Sequence, residues 1–92
     1  LVMNIKDIIE GMGLDAPVMV MDDYDEAVIG MTLDNRLIYS LDKIRQILMD
    51  VDGMTQEDAE DYISYNIVGS INPNDDRYPI LAYDLSVFIG EE

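Results

Sequence analysis

Between residues 40 and 69 the chain carries two helix-length apolar patterns hinged at Gly53, and whatever surrounds them has to cover both stripes. In the first, Leu41, Ile44, Ile47, Leu48 and Val51 recur at steps of three and four residues. On a helix of about 3.6 residues per turn that spacing gathers them on one side. Lys43, Arg45, Gln46 and Asp50 take the other side. Ser40 offers its hydroxyl to an orphaned N–H of the first turn, and Asp42 places negative charge at the positive end of the helix. Gly53 can adopt the left-handed conformation that closes a helix. Thr55 starts the second segment and with Asp58 approximates a capping box, Asp being shorter than the preferred Glu or Gln. Ala59, Tyr62, Ile63 and Ile67 form its buried stripe. Glu57, Asp58, Glu60 and Asp61 fall in its first two turns, where acids stabilise a helix start.

Capping does not account for all the acids. The 92 residues hold 20 Asp and Glu against 5 Lys and Arg, a net charge of −15. Six carboxylates with no intervening base lie from Asp50 to Asp61, and Asp22, Asp23, Asp25 and Glu26 crowd into five residues. Such a surface repels nucleic acid and anionic membranes, and it attracts basic partners, including proteins whose own ligand is DNA or RNA. Yet 49% of the residues are apolar, so a single globular domain over residues 1–92 is expected rather than a disordered acidic tail. There is no cysteine for disulfide or thiol chemistry, which fits a reducing compartment. No apolar run reaches the roughly 18–20 residues that cross a bilayer, and the first residues lack the basic region and apolar core of a signal peptide. These features point to a cytoplasmic protein.

The remaining segments are shorter. Ile5, Ile8 and Ile9 sit at helical spacing behind Asn4, a candidate cap, and Gly11-Met12-Gly13 stops a short helix there. Residues 17–21 are β-compatible and give way to the acidic loop at residues 22–26. Residues 27–33, the turn chemistry of Asp34-Asn35, and Leu37-Ile38-Tyr39 read as a β-hairpin. Residues 72–77 are dense in turn formers and predict a surface loop. Residues 79–83 form a strand opened by Pro79, where a missing N–H costs least, and residues 85–89 a further short strand or packed extension. The expected fold is α+β: a small antiparallel sheet of hairpin plus C-terminal strand, a helix pair packed on one face, and a short N-terminal helix.

Catalytic chemistry finds little footing. A calcium loop at Asp50-Val51-Asp52-Gly53 fails, because setting Gly53 at the sixth position puts Leu48 first and Ala59 twelfth, where carboxylates belong. With neither Cys nor His, a serine nucleophile needs a Lys or carboxylate partner, and none accompanies Ser40, Ser64, Ser70 or Ser86. Gly11-Met12-Gly13 precedes Leu14-Asp15, whose charge repels a phosphate. Asp22, Asp23, Asp25 and Glu26 are close enough together to try magnesium, but a solvated loop is the commoner use of such a run. The expectation is a non-enzyme without metal or cofactor. Asn66, on the second apolar stripe, reads as a buried amide bonded to carbonyls of a neighbouring turn or strand, with a ligand contact as the alternative. Tyr62 and Tyr83 fit core positions, whereas Tyr24, Tyr65 and Tyr78 read as interface anchors beside acids.

Ala27-Val28-Ile29-Gly30, Leu37-Ile38-Tyr39-Ser40, the run Asp52-Gly53-Met54-Thr55-Gln56-Glu57-Asp58-Ala59-Glu60-Asp61-Tyr62, Tyr65-Asn66-Ile67-Val68-Gly69-Ser70 and Pro79-Ile80 together resemble a family of small uncharacterised bacteriophage proteins. Its members carry, in this order, a strand of small and apolar residues, a helix, a Gly-Met-Ser/Thr turn, an acidic helix ending in an aromatic-rich Asn-Ile/Val-Ala/Val-Gly stretch, and a closing Thr-Pro strand. The resemblance spans residues 27–81. Residues 1–26 stand outside it as an N-terminal extension, and the loop at residues 72–77 departs from the pattern. It implies a phage origin, a compact fold and a place in the host cytoplasm, and it supplies no catalytic residues. Joined to the acidity, it leads to the expectation of an inhibitor acting by protein–protein contact as a DNA or RNA mimic. Asp22, Asp23, Tyr24, Asp25, Glu26, Glu57, Asp58, Glu60, Asp61 and Tyr65 would meet a basic host protein of nucleic-acid-binding or defence function. The competing expectation is a self-associating accessory module whose acidity serves only solubility.

Overall fold

In a computed structural model that describes residues 4–14, 17–72 and 74–85, Asn4 caps the first helix, α1 (Ile5–Met12), its side-chain oxygen accepting from the N–H groups of Lys6 and Asp7. Gly13, at φ 65°, closes the helix. Ile5 is buried and Ile9 half-buried, while Ile8 faces solvent.

The expected hairpin forms from β1 (Val28–Met31) and β2 (Leu37–Ser40), antiparallel, with Val28 opposite Tyr39 and Met31 opposite Leu37. Thr32 organises its turn. The Thr32 carbonyl accepts from the Asn35 N–H, the Thr32 N–H donates to the Arg36 carbonyl, and the hydroxyl bonds the Asp34 carboxylate while accepting from the Arg36 N–H. Asn35 takes φ 66°, a left-handed conformation that Asn tolerates better than most residues.

The third strand, β3 (Ile80–Ala82), corrects the expectation of a purely antiparallel sheet. It pairs with the other side of β2 and runs parallel to it, Ile38 opposite Ile80 and Ser40 opposite Ala82, so the sheet is mixed, in the order β1-β2-β3. The connection explains the direction. β2 runs directly into the helix pair, and a strand that follows a long helical crossover is returned to the end where its neighbour began, whereas an antiparallel neighbour needs only a tight turn.

The helix pair fills that crossover. Ser40 is fully buried, and its hydroxyl accepts from the Lys43 N–H at 3.2 Å to cap α2 (Leu41–Val51). Ile44 and Leu48 are buried and Leu41 and Ile47 half-buried, but Val51, last on the stripe, is 76% exposed. Beyond it Gly53 takes φ 71°, and the N–H groups of Asp52 and Met54 both bond the Leu48 carbonyl. Thr55 then caps α3 (Gln56–Tyr62), its hydroxyl accepting from the Asp58 N–H at 3.1 Å. The helix continues as a π turn over Ile63–Ile67 and a 3-10 turn over Val68–Ser70.

That π turn overturns the expectation for Asn66, which is exposed. Bonds from residue i to i+5 put more residues in each turn, so each residue rotates the chain by less than the α-helical angle. Ile67 thereby returns to the side of Ile63 and Ala59, all three buried, and Asn66 is carried off the stripe. Tyr62 and Tyr83, expected in the core, are instead 37% and 67% exposed. The buried tyrosine is Tyr39 on the central strand, whose hydroxyl accepts from the Met21 N–H at 2.8 Å. Residues 17–21 join no strand; Val18, Val20 and Met21 lie half-buried against the core as extended chain. Of the terminal extension expected at residues 85–89, all but Leu85 lie outside the described residues. Among the described residues no helix is long and apolar enough to cross a membrane.

Candidate functional site

The acidic loop is built against α1. A 3-10 turn at Asp25–Ala27, closed by the Ala27 N–H donating to the Tyr24 carbonyl, follows Asp23 in its left-handed conformation (φ 74°). This geometry turns the four carboxylates in different directions. Asp25, half-buried, accepts from the Ile5 N–H at 3.2 Å and so serves the start of α1. Asp22 pairs with Lys6 at 3.1 Å, both side chains being exposed. Asp23 and Glu26 complete the wall of an open cleft of about 680 Å³ whose floor is Ile47 and Val51 of α2. A smaller hollow of about 350 Å³ lies along α2 between Glu26 and Asp50.

The two acidic runs meet at a pair of phenols. The half-buried Tyr24 phenol lies close to that of Tyr62, at the end of α3. Burial pushes the Tyr24 phenol above its ordinary value, and the neighbouring Tyr62, Asp52 and Asp23 add to the shift by making a further negative charge costly. Asp58, one turn before Tyr62, lies on the same flank of α3.

The other acids of α3 divide by helical position. With Ala59 and Ile63 inward, Glu57 and Asp61 point away from the core, and Glu60 lies on the α2 side. Glu60 reaches Arg45 at 3.7 Å and accepts from Gln56 at 3.4 Å; Arg45 also contacts Asp42 at 3.5 Å. Glu57, Asp58 and Asp61 are exposed and form no salt bridge among the described residues. Tyr65, on the π turn, stands 78% exposed. Tyr78 belongs to a different neighbourhood: it is half-buried and its carbonyl accepts from the Arg36 guanidinium at 2.9 Å. Among the described residues no three Asp or Glu side chains are grouped so as to hold a metal ion.

The fold thus draws Asp22, Asp23, Asp25 and Glu26 around one cleft, sets Asp50 on a second hollow that shares Glu26, Ile47 and Val51 with it, and leaves Glu57, Asp58 and Asp61 exposed on α3. Asp25 and Glu60 are engaged internally. Sequence reasoning missed Ile47 and Val51, which line the cleft beneath the loop acids; the signal was Val51 at the last position of the stripe, between Asp50 and Asp52. Searched against protein-family models, curated proteins and solved structures, the chain has no significant match.

Proposed function

We propose that this protein acts as an inhibitor by contact with a basic protein whose own ligand is nucleic acid, its carboxylates standing where phosphates would. The observation that carries the reading is the closeness of the acidic runs: Tyr24 of the loop lies beside Tyr62 of α3, and α3 displays Glu57, Asp58 and Asp61 exposed and without an ion pair among the described residues. Glu57, Asp58 and Asp61 fall within about 6 Å of helix axis, a linear density close to the phosphate every ~3.4 Å that each strand of a duplex carries, and the loop acids extend the charge beyond α3. The resemblance to small phage proteins supports the same reading. Self-association is disfavoured, since two copies would bring surfaces of −15 each together.

The test is capture of a partner from a bacterial host, followed by competition with DNA or RNA. Binding should be fast and steeply weakened by salt, because steering between exposed charges is screened within ~8 Å at physiological ionic strength. Displacement by nucleic acid, and loss on charge reversal at Glu57, Asp58 and Asp61, are the expected results. A captured partner that nucleic acid cannot displace and that still binds the charge-reversed protein would sink mimicry.

A further inference from the structure

We draw no further inference here: the strongest candidate, the open cleft between the acidic loop, the start of α1 and the end of α2, lined by Asp22, Asp23, Asp25 and Glu26 above Ile47 and Val51, is a cluster of carboxylates belonging to the site already described, and nothing among the described residues shows what fills it.

Discussion

Tyr39→Phe removes a single oxygen from the centre of the molecule, and its consequences can be worked out from one bond. The ring is fully buried on the middle strand of the sheet, and its hydroxyl accepts from the Met21 N–H at 2.8 Å. The shape of the core is unchanged by the substitution, so no cavity term arises. What changes is that a half-buried backbone N–H loses its acceptor, at a cost of about 1–2 kcal/mol. In a domain of this size that lowers the melting midpoint by roughly 5–15 °C. Because Met21 immediately precedes the acidic loop, amide exchange at Met21 and through Asp22 and Asp23 should accelerate by more than global destabilisation explains. Thermal unfolding followed by circular dichroism and exchange read by NMR measure the two effects. A variant within 0.3 kcal/mol of the parent, with unaltered exchange at Met21, would refute the claim that Tyr39 pins the loop.

Ile63→Ala, at a position 8% exposed between the helices and the core, should cost about 2–4 kcal/mol in denaturant unfolding; a loss below about 1 kcal/mol would mean that α3 is not packed through this residue. Gly53→Ala has open space around the new methyl but must hold φ 71°, so a conformational cost of about 1–2 kcal/mol is expected, and a neutral result would argue against the left-handed closure of α2. Burial raises the Tyr39 phenol, opposed by the Met21 N–H and aided by Asp25 and Asp22, and burial raises Tyr24 as well. A phenol raised on folding keeps its proton when the unfolded chain has lost it, so its stabilising contribution is complete below about pH 10 and declines as pH rises toward the folded value. Stability measured from pH 8 to pH 12 should fall from about pH 10 onward, and less steeply in Tyr39→Phe; a decline unchanged by that substitution would contradict the assignment.

The parts that could be read in advance are those settled over a few residues. Asn4, Ser40 and Thr55 cap the three helices as their side chains suggest, and Gly13 and Gly53 end two of them. The hairpin follows from two extended runs around Asp34-Asn35. Failures begin where a regular period was assumed to continue. Asn66 was placed inside by a 3.6-residue repeat that the π turn does not obey. Helical spacing puts Tyr62 on the stripe with Ala59 and Ile63, and Tyr83 reads as a core position, but the fully buried tyrosine is Tyr39.

By itself the sequence determined the helices, their caps, the hairpin and the abundance of negative charge, because propensity, capping and turn chemistry act between residues at most a few places apart. Only the tertiary structure decided the direction of β3 and which acids remain available. Asp25 is occupied by an N–H 20 residues away and Asp42 by one 42 residues away, while Glu60 is held by Arg45 across the helix pair. Such pairings depend on how whole elements stack to bury their apolar stripes, and a carboxylate's own neighbours in the chain carry no record of where that stacking will bring it.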